Sequence, residues 1–324
     1  MGVTEIVKAL VSPAEKLIEA FKGAIGKAYE PRHTRKMADA KAYELEVIGN
    51  AIRNSDISIA YNSAGISIDT GDLEEIAKRA SYRLAFQEIT KQHNIEQVAD
   101  IAYEELQNAE PISNDPINTD WMVRFFNSVE DISNEEMQKI WGHILAGEIK
   151  SPNSYSLRTL ERLRNMTQQE AEHFQLVSSL AMKSGGTSFV LSNRDLLNKH
   201  NVSFAHILEL EECGLMTAQE LQLTVWANED DYIFNDSFIG QIRGKNTEEN
   251  NEVKLSIFAF TESGAQLLKV INPQANRQYF IDCLQFIRKQ NRNFVVEAHD
   301  IKSFTENGDI IYDKNDILPP ESSD

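Results

Sequence analysis

The chain has 324 residues, of which 41% are hydrophobic and 25% are charged. This composition is ordinary for a globular protein and too apolar for a disordered one, and the length allows two or three domains. The chain has 32 basic and 50 acidic residues and a net charge of −18. An acidic surface repels phosphate backbones, which argues against nonspecific nucleic-acid binding.

Cysteine use and the start of the chain predict its compartment. Cys213 and Cys283 are the two cysteines, and their spacing indicates neither a disulfide framework nor a zinc site. The first residues lack the basic region, apolar core and cleavage site of an exported protein. No run approaches the roughly 20 apolar residues of a membrane-spanning helix. These features predict a cytoplasmic protein.

Residues 1–31 are predicted to form amphipathic basic helices, with Ser12 and Pro13 as the start of the second helix. Residues 1–37 carry seven basic and four acidic side chains, whereas the remainder is strongly acidic. This segment therefore packs against the acidic remainder, joins copies of the chain, or lies on an anionic membrane surface. The candidates for membrane or oligomer contact are Lys8, Lys16, Phe21, Lys22, Ile25 and Lys27.

Residues 32–184 are predicted to be a helical domain, because apolar residues recur at helical spacing between helix-start signals. Residues 54–70 interrupt this pattern and predict a loop or small hairpin. Three predicted helices cover 32–53, 71–92 and 94–108. A fourth begins at Trp121, and a fifth runs from a capping box at Ser133 to Ile149. A sixth passes through Leu157–Leu163, and a seventh runs from Thr167 to Gly185-Gly186.

Residues 185–272 are predicted to be a winged-helix-like region. A strand at 188–191, two short helices and antiparallel strands at 220–227, 232–242 and 252–260 follow in the order of that module. The helix at 203–213 stands where a DNA-reading helix would, yet it has no Arg or Lys and has three glutamates. It is therefore predicted to serve protein contact or structure.

The chain is predicted to end in a small α/β extension at 273–315 and a flexible tail at 316–324. The fold class is mainly α with a smaller α+β C-terminal part, in which an N-terminal helical domain precedes the winged-helix-like and α/β regions. No cofactor-binding motif, metal-ligand pair or catalytic motif is present, which predicts a non-enzymatic protein. The enzyme alternative is a nuclease-like metal site built from Asp282, Asp300 and Lys302.

Glu148 is an unusual residue, because it falls on the apolar stripe of a predicted helix that also carries Trp141 and Ile144. Arg158 lies in the first turn of the next helix, where a cation opposes the helix dipole. We expect the two to form a buried pair across the turn. The candidates for structural or interaction roles are Trp121, Arg124, Trp141, Glu148 and Arg158.

Several segments together resemble a bacterial family known as a domain of unknown function. They are RKMADAKA (35–42), KQHNIEQVADIA (91–102), DWMVRFF (120–126), ISNEEMQKIWGHILAGEIKSP (132–152), SYSLRTLERL (154–163) and FTESGAQLL (260–268). The chain is more loosely similar to helical abortive-infection proteins of the alpha type. That similarity implies a role in phage defence or stress response and carries over no catalytic residue.

The resulting functional prediction is a protein that binds another protein or its own copies, without a cofactor. A membrane-directed effector that uses residues 1–30 and an enzyme with an unrecognised site are the two alternatives. Nucleic acid is not an expected partner.

Overall fold

The computed structural model describes residues 10–25, 70–227, 231–245, 252–305 and 308–320. The chain divides into two compact units, residues 1–160 and residues 161–324. The predicted helix at 32–53 and the predicted loop at 54–69 lie outside the described residues. The five-part division derived from the sequence stays a prediction.

In its described residues, the first unit is helical apart from one short pair of strands. Its elements are β1 (Leu10–Val11), α1 (Pro13–Ile25), α2 (Thr70–Leu106), β2 (Ile112–Ser113), α3 (Thr119–Val129), α4 (Glu135–Lys150) and the start of α5 (Leu157–Arg164). β1 and β2 pair antiparallel.

Local hydrogen bonds explain where these helices begin. Asn118 caps α3, which was expected to begin at Trp121, by accepting from the backbone N–H of Asp120 and Trp121. Asn134 caps α4 through the N–H of Met137, in the place predicted for Ser133. The start of α1 at Pro13 is confirmed.

Residues 70–106 form one helix of 37 residues, so the prediction of two helices with a break before Asn94 is wrong. Asn94 caps nothing. Its buried side chain donates from Nδ2 to the Glu130 carbonyl oxygen at 2.9 Å, which ties α2 to the end of α3. The Asn94 side chain therefore makes a tertiary hydrogen bond instead of capping a helix, which was its predicted role.

The core of the first unit lies where α1, α3 and α4 pack with the C-terminal half of α2. Phe21 of α1 lies edge-on to Phe126 with ring centroids 4.9 Å apart, and Leu17 is fully buried. Phe125 lies edge-on to Trp141 at 5.4 Å. Helix α1, which lies within the basic segment at residues 1–31, is therefore part of a hydrophobic core.

The second unit combines helices with an eight-stranded antiparallel sheet. Its elements, after the end of α5, are α6 (Gln168–Ser178), β3 (Met182–Ser184), β4 (Thr187–Leu191), α7 (Arg194–Lys199), α8 (Phe204–Glu212), β5 (Leu221–Trp226), β6 (Tyr232–Phe234), β7 (Phe238–Gly244), β8 (Glu252–Ala259), α9 (Glu262–Ile271), α10 (Arg277–Gln290), β9 (Phe294–Phe304) and β10 (Ile310–Tyr312). The strand order is β10-β9-β7-β6-β3-β4-β8-β5.

Two turns were misassigned from the sequence. The helix expected to stop at Gly185-Gly186 ends at Ser178, and the two glycines, at φ 53° and 80°, form the turn between β3 and β4. The single strand expected at 232–242 is the hairpin β6–β7. Asn235 Oδ1 accepts from the N–H of Ser237 and Phe238 and thereby closes that turn.

The observed architecture, mainly helices with a sheet in the C-terminal part, confirms the predicted fold class at this level. Within the residues that the structure describes, no helix is long and apolar enough to cross a membrane.

Candidate interaction surface

The end of α4 and the turn after it are held by Glu148. Its side chain is buried, with 1% exposed. Oε1 accepts from the backbone N–H of Asn153 at 2.6 Å, and Oε2 accepts from the N–H of Tyr155 at 3.1 Å. The carboxylate thus satisfies donors of the turn that would otherwise be buried without partners.

The electrostatics of Glu148 depend on burial and on Lys16 of α1. Burial raises the pKa of Glu148, and the backbone donors of the turn and the Lys16 charge oppose this rise. Burial lowers the pKa of Lys16, and the charges of Asp115 and Glu148 oppose that change. The basic segment therefore supplies a cation to the Glu148 site.

The prediction that Glu148 pairs with Arg158 is wrong. Arg158 is exposed, and no ion pair joins it to Glu148 within the described residues. The predicted burial of Glu148 is confirmed, but backbone N–H groups and Lys16 compensate its charge. A carboxylate accepts several hydrogen bonds, so it needs no cation directly across the turn.

Two further contacts fix the same turn. Trp121 is buried and donates from Nε1 to the Tyr155 carbonyl oxygen at 2.8 Å. A Cβ at Gly147 would lie 2.7 Å from the Tyr155 hydroxyl oxygen, so the aromatic ring needs a glycine there. The segment from Trp141 to Tyr155 therefore contributes to core packing and stabilises the turn after α4.

The other structural candidates differ in exposure. Trp141 is fully buried in the core, whereas Arg124 is exposed on α3. The structure therefore brings Trp121, Trp141 and Glu148 into the interior of the first unit and leaves Arg124 and Arg158 on its surface.

The candidates for membrane or oligomer contact are also divided. Lys16 and Phe21 are buried, and Lys22 is exposed. Lys8, Lys27 and the Ile25 side chain lie outside the described part of the chain. The apolar side of α1 is covered by the chain itself, which is the packing alternative drawn from the sequence.

A different helix presents apolar residues to solvent. In the C-terminal half of α2 the residues Ile95, Val98 and Ala102 recur every three or four positions and are buried in the core. The same stripe continues toward the N-terminus through Leu84, Ala80, Ala77 and Ile76, and we name these four residues the α2 stripe. No residue from Glu75 to His93 is buried.

Exposure in the α2 stripe is large. Ile76 is 52% exposed and Leu84 is 54% exposed. Lys91 contacts Glu130, next to the end of α3, at 2.8 Å, and the residues of α2 from Glu75 to Thr90 are half-buried or exposed. An apolar stripe that runs in register from a core into solvent is typical of an interface.

Tyr82 and Phe86 are exposed on the side of α2 opposite Leu84, about 160° around the helix from that residue. Phe86 is 72% exposed. The two faces can therefore be changed independently.

In the second unit, the exposed side of α8 is apolar and acidic. Leu208 is exposed, as are Glu211 and Glu212, while Glu209 contacts His173. No cation lies on this helix to contact a phosphate.

The residues of the nuclease-like alternative are each bound to other side chains. Asp282 contacts Lys199 at 2.6 Å and His200 at 2.8 Å, and Asp300 contacts Arg277 at 2.7 Å. Lys302 lies 3.4 Å from Asp313. Within the described residues, no group of three His, Cys, Asp or Glu side chains could hold a metal ion.

A cleft of about 250 Å³ in the second unit lies beside the ends of α6 and α9. Its lining includes Lys183, Asp236 and Lys269, and Lys183 is paired with Asp236 at 3.1 Å. These contacts are those of a surface ion pair beside two helix ends.

The family described as "Protein of unknown function (DUF2806)" matches residues 78–284, which is well over half of the chain. The chain belongs to the DUF2806 family. No curated protein and no solved structure is significantly similar to it. The part matched by DUF2806 includes Leu84, the Glu148 turn and the sheet as far as α10.

Sequence reasoning missed the α2 stripe as a surface. A signal was present, since Ala77, Ala80, Leu84 and Lys91 stand in the same spacing as the core residues that follow. Periodicity identifies a stripe but does not tell which part of it a tertiary neighbour covers.

Proposed function

We propose that this protein is non-enzymatic and acts by binding its own copies through the α2 stripe. The observation that carries this proposal is the exposure of Ile76 and Leu84 on a stripe whose continuation is core. Burying such side chains between two copies removes apolar area from water at about 25 cal/mol per Å². A rigid helix also loses little conformational entropy when it becomes part of an interface.

A winged-helix-like arrangement used for protein contact belongs to the same proposal. It is supported by the two short helices α7 and α8 between β4 and β5, and by the antiparallel pairing of β8 with both strands. The exposed Leu208, Glu211 and Glu212 of α8 favour a protein partner over a polyanion.

The setting that we propose is the bacterial cytoplasm, in phage defence or stress response. Its support is the loose resemblance of the sequence to abortive-infection proteins of the alpha type, which no comparison with curated proteins tests. Plaque counts on bacteria that carry the wild-type gene, the Leu84→Asp gene or no gene test this setting. Protection that requires Leu84 is expected, and equal plaque counts in all three strains would contradict a defence role.

Light scattering over a range of concentrations tests self-association. Wild type is expected to form oligomers that dissociate on dilution. Leu84→Asp is expected to be monomeric with an unchanged circular dichroism spectrum, because Leu84 is 54% exposed. Phe86→Ser is the matched control on the opposite side of α2 and should keep the oligomer. A wild type that is monomeric throughout would contradict the proposal.

A further inference from the structure

Two opposite charges flank the α2 stripe. Successive residues of a helix are 100° apart, so Arg83 lies on one side of Leu84 and Glu88 lies on the other. Both are exposed, and no ion pair joins either to another side chain within the described residues, while the Glu88 charge acts on Lys91 of the same helix.

The stripe has heptad spacing over two heptads. Ala77 and Leu84 take the first core position, called a, and Ala80 and the polar Gln87 take the second, called d. The next a position is Lys91, which is bound to Glu130 of its own chain and ends the repeat. In this frame Arg83 occupies position g and Glu88 occupies position e of the following heptad. In a parallel two-stranded coil these two positions of opposite chains face each other.

We infer that two copies pair their α2 helices in parallel about a twofold axis, with Arg83 of each copy against Glu88 of the partner subunit. This inference rests on the proposed self-association and specifies its geometry. An antiparallel pair centred on the same segment would instead bring Arg83 toward Arg83 of the partner subunit. Repulsion between these like charges would destabilise the dimer. Ala77 and Ala80 are small and allow the helices to approach closely.

Charge reversal tests the pairing in the full-length protein. Arg83→Glu and Glu88→Arg should each weaken the dimer about tenfold, because two symmetric attractive contacts become repulsive. The double variant R83E/E88R restores opposite charges and should return to within about threefold of wild type. Lys78→Glu makes the same charge change away from the stripe and is the matched control.

The salt dependence provides a further readout. The difference between each single variant and wild type should shrink at high salt, because exposed charges are screened. A double variant that is as weak as the singles would overturn the parallel pairing. So would a Lys78→Glu variant that is as weak as Arg83→Glu.

Cysteine cross-linking tests the orientation. In a parallel pair every a position faces its own copy, so Ala77→Cys and Leu84→Cys should each give a disulfide-linked dimer under mild oxidation. An antiparallel pair allows this at no more than one of the two positions. Wild type is the control, because Cys283 is buried and burial raises the pKa of Cys213 to about 12.

The outcomes separate the two proposals. A wild type that stays monomeric sinks self-association itself. If Leu84→Asp also destabilises that monomer, the chain covers its own stripe. A dimer that requires Leu84 but shows neither charge rescue nor cross-linking at both positions sinks only the parallel geometry.

Discussion

Glu148 illustrates how much one side chain can determine at the residue scale. A carboxylate on an apolar stripe needs a partner that compensates its charge. The sequence suggested Arg158, a cation in the first turn of the next helix. The structure uses the backbone N–H groups of Asn153 and Tyr155 instead. Those donors are present in every sequence and leave no pattern, so the true partners could not be read from residue types.

Replacing Glu148 with Gln is expected to lower the free energy of unfolding by about 1–3 kcal/mol. An amide has one acceptor oxygen where the carboxylate has two, and its NH₂ group would face a buried N–H. Urea unfolding at neutral pH measures the loss. An unchanged free energy would show that the turn does not depend on the second oxygen.

The pH dependence of this substitution has a defined sign. The pKa of Glu148 is raised in the folded state, so the folded state holds its proton to higher pH than the unfolded state does. Stability from this group is therefore full below about 4.5 and falls as the pH rises through the folded pKa. The advantage of wild type over Glu148→Gln should shrink as the pH rises above the ordinary pKa of 4.5. An advantage that grows with pH would reverse this assignment.

Double-mutant cycles separate the two candidate cations. Lys16→Met combined with Glu148→Gln should show a coupling above about 0.5 kcal/mol, because the Lys16 charge acts on the buried carboxyl. Arg158→Met is the matched control and should be additive with Glu148→Gln within about 0.5 kcal/mol. Coupling to Arg158 rather than Lys16 would restore the pairing expected from the sequence.

At the scale of elements, the crossing of α2 and α4 depends on a glycine. A Cβ at Gly142 would lie 2.5 Å from Ile101 Cγ2 and 3.3 Å from the Val98 carbonyl oxygen. Gly142→Ala should therefore cost about 1–3 kcal/mol through overpacking, although alanine is the better helix former.

Gly23→Ala is the control for that prediction. Gly23 also lies in a helix, α1, but a Cβ there would meet no atom within 4 Å. The substitution should stabilise the protein by about 0.5–1 kcal/mol. Chemical denaturation of both variants gives the comparison, and equal effects would show that the α2–α4 contact is less tight than the distances indicate.

The boundaries of helices could be predicted where the stabilising contact is local in the sequence. The helix start at Thr167 was predicted from its pattern, and Thr167 and Glu170 form a capping box there. Asn94 had the pattern of a helix start and lies in the middle of a helix, since its side chain bonds to Glu130. Signals that act within one turn could be predicted, whereas a side chain claimed by a distant element could not.

At the scale of the whole molecule, α1 cannot be removed without loss. The sequence set residues 1–31 apart as a separate basic segment, but Leu17 and Phe21 lie in the core of the first unit. We expect a chain that lacks residues 1–25 to lose cooperative unfolding of that unit, since Phe21→Ala alone should cost about 3–5 kcal/mol.

Limited proteolysis and urea unfolding of the truncated chain provide the measurement. A chain that lacks only residues 1–9 is the control, because it keeps every described core residue of α1. A truncated chain with wild-type stability would show that the first unit folds without α1.

The sequence by itself determined the mainly helical first part, the strands of the second, the acidic character and the family. These properties follow from periodicity, local start and stop signals and composition, which act over a few residues. Only the tertiary structure decided which apolar stripe is core and which is surface. The stripes of α1 and α2 are alike in the sequence, yet Phe21 is covered by α3 while Leu84 lies beyond the end of the packed helices. Coverage depends on neighbours that are distant in the chain, and no local pattern records them.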